Sequence, residues 1–101
     1  MKETDLFLPV KNLFESLGYK ISAEIKNLDI IAMKENEVTI IELKVNFNLK
    51  LILQAIERQS IANKVYIAIP RPKNYNSNLK SFKEKENLLR RLKLGLIFVS
   101  L

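Results

Sequence analysis

The chain has 101 residues, 48% of them hydrophobic and 28% charged, with Lys+Arg 17 against Asp+Glu 11; this is one domain, residues 1–101, with material for a single core. It has no cysteine and no histidine, which excludes disulfides, thiol catalysis, Cys- or His-based zinc sites and any Ser-His-Asp triad. Its two glycines, Gly18 and Gly95, are too few for a dinucleotide fingerprint or a phosphate loop, so chemistry here runs on carboxylates, lysines, amides and hydroxyls, and a bound metal would be a hard ion held by oxygens.

Leu6, Val10, Leu13 and Leu17 recur at helical spacing with Phe14 beside them, Thr4 or Asp5 serves as cap, Pro9 suits the first turn, and Gly18 suits the position after the helix. Tyr19, Ile21, Ala23 and Ile25 alternate with Lys20, Ser22, Glu24 and Lys26, the pattern of a half-buried strand. Leu28 to Met33 is a short apolar strand carrying Asp29. A polar turn at Lys34-Glu35-Asn36-Glu37 leads into a strand from Val38 to Val45. Asn48 then caps a helix reaching about Ala62, with Leu49, Ile52, Leu53 and Ile56 on one stripe. Val65 to Ile69 is a near-continuous apolar strand closed by Pro70 and Pro72, the loop through Asn74 to Asn78 is rich in turn formers, a basic helix covers Leu79 to Lys93, and Leu94 to Leu101 is the last strand.

The order is α-β-β-β-α-β-α-β. A strand, a helix of about fifteen residues and an apolar strand imply a right-handed parallel crossover, and three strands joined by short turns imply an antiparallel meander. The expected fold class is α/β, a mixed sheet of about five strands flanked by helices. Met1 to Asp5 lacks a basic, apolar-flanked leader, and no run approaches the roughly 18–20 apolar residues that cross a bilayer. A cytoplasmic protein without membrane partners is expected. The chain stops at Ser100-Leu101 inside an apolar run, which reads as a shortened relative of something longer.

Charge is segregated. Residues 1–70 contain nine basic and nine acidic side chains, whereas 71–93 contain Arg71, Lys73, Lys80, Lys83, Lys85, Arg90, Arg91 and Lys93 against Glu84 and Glu86, so the whole net charge of +6 sits there. Such a block suits a polyanion through phosphate neutralisation and counterion release, and equally describes a solvated helix face.

Strand periodicity places Val38, Ile40, Glu42 and Lys44 on one face and Thr39, Ile41, Leu43 and Val45 on the other. Both faces begin apolar, so the strand reads as central, and one face turns charged only at its C-terminal end. A turn centred near Glu35-Asn36 makes Asp29 and Glu42 direct cross-strand partners. Two carboxylates in that position repel unless one is protonated or a cation bridges them.

Asp29-Ile30-Ile31-Ala32, a short spacer and Ile40-Ile41-Glu42-Leu43-Lys44 resemble the split acidic motif of the PD-(D/E)xK nuclease superfamily, in an order similar to that of archaeal Holliday-junction resolvases. Glu3-Thr4-Asp5-Leu6, Gly18-Tyr19, Glu42-Leu43-Lys44, Phe47-Asn48-Leu49, Gln54-Ala55 and Val65-Tyr66 more closely resemble a bacterial family of PD-(D/E)xK phosphodiesterases, over residues 3 to about 99. Leu28 stands where the motif has proline. The resemblance implies a restriction-endonuclease-like core and an enzyme, a Mg²⁺- or Mn²⁺-dependent nuclease hydrolysing nucleic-acid phosphodiester bonds. Asp29, Glu42 and the Leu43 carbonyl would ligate the metal, Lys44 would orient or activate the attacking water, and Gln54 would sit over the site. Glu3 and Glu24 would be outer acidic members. The implied partner is nucleic acid, DNA ahead of RNA, gripped by Arg71, Lys73, Lys80, Lys83, Arg90 and Arg91, and a homodimer would cover two strands.

The residues alone leave other readings open. Glu42 and Lys44 also fit a salt bridge at a sheet edge, Asp29 a strand start, Gln54 with Lys50, Glu57 and Arg58 a solvated helix face, Glu24 a surface position and Glu3 a helix start. The alternative function is a non-catalytic nucleic-acid-binding module of the same fold.

Overall fold

The structure, a computed structural model, describes residues 2–24, 29–73 and 80–100, the side chains of Ala23 and Glu24 excepted. Its elements follow the expected order: α1 (Thr4–Ser16), β1 (Lys20–Glu24), β2 (Asp29–Lys34), β3 (Glu37–Leu43), α2 (Leu49–Arg58), β4 (Lys64–Pro70), α3 (Lys80–Arg91) and β5 (Gly95–Val99). The strands form one mixed five-stranded sheet in the order β1-β2-β3-β4-β5. β1, β2 and β3 are an antiparallel meander, and β3, β4 and β5 run parallel. The expected strand positions Ile25, Lys26 and Leu28, the loop from Asn74 to Asn78, the helix start at Leu79 and the strand end at Leu101 lie outside the described residues.

Two right-handed crossovers stepping the same way across a sheet lay both helices on one face. α2 and α3 therefore share a face, where Leu51, Ile52, Ala55 and Leu89 pack on Val65, Ile67, Ile69 and Leu94. α1 covers the opposite face, where Leu6, Val10 and Phe14 meet Ile30, Ala32, Ile41, Leu43, Ala68 and Val99. No helix among the described residues is long and apolar enough to cross a membrane.

Local chemistry explains the element ends. Gly18 at φ +91° follows α1, with the Tyr19 N–H bonded to the Phe14 carbonyl at 3.0 Å and the Gly18 N–H to the Glu15 carbonyl at 3.0 Å; this is the glycine-terminated stop the sequence promised. α3 ends in the same bonding pattern, Leu94 to Leu89 at 2.9 Å and Lys93 to Arg90 at 3.0 Å, but with Lys93 at φ +61°. The Asn48 Oδ1 accepts from the Leu51 N–H at 2.9 Å and caps α2. Gly95 pairs with Tyr66, and a Cβ there would run into the Tyr66 ring.

Four expectations are corrected. Pro9 lies inside α1, past its first turn, so the helix loses one internal hydrogen bond there. α1 buries Leu6, Val10 and Phe14, while Leu13 and Leu17 are exposed. α2 ends at Arg58 and buries Leu51, Ile52 and Ala55, leaving Leu49, Leu53 and Ile56 exposed. Helical spacing allowed two apolar stripes on α2, and the small Ala55, fully buried, lets its own stripe approach the sheet more closely.

Candidate active site

The β2–β3 register runs from Lys34↔Glu37 at the turn to Asp29↔Glu42 at the far end. The turn is two residues long, and its first, Glu35, has φ +57°, as in tight hairpins usually built with glycine. Because register is set at the turn, the two acids are placed opposite one another by local geometry. Paired residues share a face, so both carboxyl groups project to the α2 side, away from α1. β3 is the central strand, not a sheet edge, and Asp29 and Glu42 are 0% and 2% exposed.

The cation that meets them comes from α2. Arg58 Nη2 donates to Asp29 Oδ2 at 3.1 Å, and Arg58 Nε stands 3.1 Å from Glu42 Oε1 without the alignment of a hydrogen bond. Glu42 Oε1, Arg58 Nε and Asp29 Oδ1 consequently have no hydrogen-bond partner. Burial, a hydrogen bond to Asp29 and the Asp29 charge push the Glu42 carboxyl up to about 8, against the opposing pull of Arg58 and Lys44. The repulsion expected of the pair is thus relieved twice, by a proton on Glu42 and by a guanidinium. The hydrogen bond to Asp29, helped by the acidic surroundings of Glu42, Asp29 and Glu57, raises Arg58 above its ordinary value against the cost of burial, so its charge is secure.

The other expected residues divide. Lys44 is half-buried just past β3, and its charge is felt at Glu42; it is not the Glu42 ion-pair partner, which is Arg58. Leu43 follows the acid pair, its side chain buried in the α1-side core. Gln54 is half-buried and stands one turn before Arg58 on the same side of α2. Glu3 is the N-cap of α1, over the other face of the sheet. Among the described residues no third acid joins Asp29 and Glu42 in a metal-binding group; the Glu24 side chain lies outside them.

No family model, curated protein or solved structure matches the chain. The site is therefore read from its own geometry.

The basic residues do not form one patch. α3 runs antiparallel to the strands it connects, and its 12 residues span ~18 Å at 1.5 Å each. Arg71 follows the C-terminal end of β4, where its N–H bonds to the Val99 carbonyl at 2.9 Å, and Lys73, Lys80 and Lys83 continue from that edge, all exposed. This is the edge to which Glu42 and Lys44 belong. Arg90 and Lys93 instead line a cleft with Lys64, Tyr66 and Gly95 at the amino ends of β4 and β5, and Arg91 ends the same last turn of α3.

Arg58 is the residue that sequence reasoning missed. Leu51, Gln54, Ala55 and Arg58 follow the i, i+3, i+4, i+7 pattern of one helix face, but a charged residue at the end of such a stripe looks solvated until the acids beneath it are known.

Proposed function

We propose that this chain is a metal-dependent phosphodiesterase acting on nucleic acid, DNA ahead of RNA, with a restriction-endonuclease-like core of the PD-(D/E)xK type. The observation that carries the reading is the buried Asp29–Glu42 pair. Two carboxyls are held face to face, each with an oxygen that makes no hydrogen bond, and Glu42 is driven toward its protonated form. Buried carboxyls arranged so are costly, and a site for a hard cation is their most direct use. The mixed sheet, with the acids where a meander meets parallel crossovers, supports the same core.

The donor set fits Mg²⁺ or Mn²⁺: Asp29 Oδ1 and Glu42 Oε1 lack hydrogen-bond partners, and the Leu43 carbonyl is adjacent in the chain. When bound, such an ion supplies positive charge to a non-bridging phosphate oxygen and acidifies the attacking water. The chain's own residues do the rest. Glu42 would have to give up its proton to hold such an ion. Lys44, whose ammonium already acts on Glu42, orients the water and stabilises charge developing on phosphorus oxygens. Arg58 neutralises the acids in the metal-free chain, and its 27% exposed side chain can turn outward to a phosphate oxygen. Gln54 stands beside it as a neutral donor.

One observation favours a second reading, a non-catalytic nucleic-acid-binding module of the same fold: Arg58 satisfies part of the acid pair and covers it, as in a buried ion network that specifies packing. Plasmid nicking in Mg²⁺ or Mn²⁺, with wild type and Glu42→Ala side by side, separates the two. Nicking by wild type alone supports the enzyme. Equal nicking by both assigns the activity to a contaminant. Binding of DNA with no nicking and no Mn²⁺-induced rise in melting temperature leaves the binding module.

A further inference from the structure

On the face that carries Glu42, a cleft of about 340 Å³ opens at the C-terminal ends of the parallel strands. Phe47, Phe82 and Phe98 line it with the charged side chains of Arg71, Lys85 and Glu86. The Lys85 ammonium stands 5.5 Å from the centre of the Phe47 ring and 5.8 Å from that of Phe82. Three aromatic rings with an ammonium and a guanidinium against the single Glu86 carboxylate leave the opening net positive, which suits a ligand that is a flat π-system at one end and an anion at the other.

The cleft lies on the same face as the acid pair and neighbours it across the strand ladder, although neither acid lines it. Ile67 pairs with Glu42 on one side and Leu96 on the other. The next outward pair on this face is Ile69↔Phe98, in the row that Lys44 would continue. Phe98 thus lies two strand spacings from that row's Lys44 position, ~10 Å. Arg71, Lys73, Lys80 and Lys83 surround the same edge, so an anionic chain reaching the cleft crosses a positive border.

We propose that this cleft receives an unpaired nucleotide of a DNA strand, its base against the phenylalanine rings and its phosphate at Lys85 and Arg71, while a neighbouring phosphodiester lies at Asp29, Glu42 and Lys44. This deepens the reading of the acid pair as a nucleic-acid site and rests on it. A duplex keeps its bases stacked inside, so the preferred substrate is single-stranded DNA or a junction, flap or gap that offers an unpaired base. A free mononucleotide has the same base-and-anion chemistry but cannot span cleft and acid pair together.

The test measures binding in EDTA, where nothing is cleaved, by fluorescence anisotropy with three labelled probes of equal length: a single strand, the same strand with abasic residues throughout, and a blunt duplex. Wild type should bind the normal strand ~10-fold more tightly than the abasic one, the factor expected from one stacked base. Phe82→Leu keeps apolar bulk and removes the ring, so it should shrink that ratio to below about 3-fold with no change in salt dependence, since no phosphate contact is lost. Phe47→Leu provides the same comparison should Phe82→Leu fail to give a cooperative melt. Equal affinity of wild type for normal and abasic strands would overturn the proposal, as would an undiminished ratio in folded variants, a blunt duplex bound as tightly as the strand, or a mononucleotide bound as tightly as the strand. Nicking and Mn²⁺ melts on the same preparations keep the two ideas apart. Activity without base-dependent binding removes only the cleft assignment, and base-dependent binding without activity or metal response removes only the enzyme.

Discussion

Glu42 should make the metal-free protein lose stability as pH rises, and replacing it by glutamine should remove that loss. Its carboxyl is raised from 4.5 to about 8 by burial and by Asp29. A carboxyl with a raised folded-state value binds its proton more tightly in the folded chain than in the unfolded one. The resulting stability is complete below about 4.5 and is lost as pH climbs toward about 8, where the folded form also ionises. Each tenfold gain in proton affinity is worth about 1.4 kcal/mol, so the rise as a whole contributes up to ~5 kcal/mol, a large share of the ~5–15 kcal/mol that holds a domain together. Lys44 and Arg58 stay close enough to recover some of this once Glu42 ionises, which makes a few kcal/mol the working expectation. Glu42→Gln keeps the size of the protonated acid and a donor for Asp29, without the titration. Urea unfolding in EDTA at pH 5, 6.5, 8 and 9 should find the two proteins within about 1 kcal/mol at the lowest pH. The variant should be more stable by a few kcal/mol at the highest. Groups away from the pair titrate alike in both and drop out of the difference. Parallel stability curves across this range would refute the argument and leave Glu42 an ordinary ion-pair partner of Arg58.

Removing the guanidinium tests the other half of the compensation. Arg58→Met should destabilise the metal-free protein by about 2–3 kcal/mol, below the ~3–5 kcal/mol for a fully buried pair because the side chain is 27% exposed. Mn²⁺ should restore most of that in thermal melts, since it replaces the lost cation and binds only the folded chain. No restoration by Mn²⁺ would show that the acids do not hold a metal. Gly95→Ala places a methyl against the Tyr66 ring and should cost about 1–3 kcal/mol; a loss below ~0.5 kcal/mol in urea unfolding would mean that β5 shifts freely. At Lys93, held at φ +61°, glycine should stabilise by about 0.5–1 kcal/mol, seen as a melting temperature a few degrees higher, and a lower one would count against the strained helix end.

What the sequence determined by itself was whatever depends on neighbours in the chain. Alternation and helical spacing placed all eight elements in order. Gly18 ended α1 through its own backbone freedom, and Asn48 capped α2 through a side chain three residues from its partner N–H. The Asp29–Glu42 pairing was also legible, because a two-residue turn fixes an antiparallel register and every later pair follows from it. Tertiary structure decided what depends on how elements lie on one another. α2 offered two apolar stripes of similar strength, and only docking on β3 and β4 chose Leu51, Ile52 and Ala55 over Leu49, Leu53 and Ile56. That rotation carries Arg58 over the acids, a contact between residues 29 positions apart in the chain that no local pattern encodes. The basic segment 71–93 read as one block, yet the end of β4 leaves Arg71 at the edge of the acid pair and an antiparallel α3 carries Arg90 to the other. Charge along a chain is a sum over neighbours, whereas a field at a site depends on which way the helix runs.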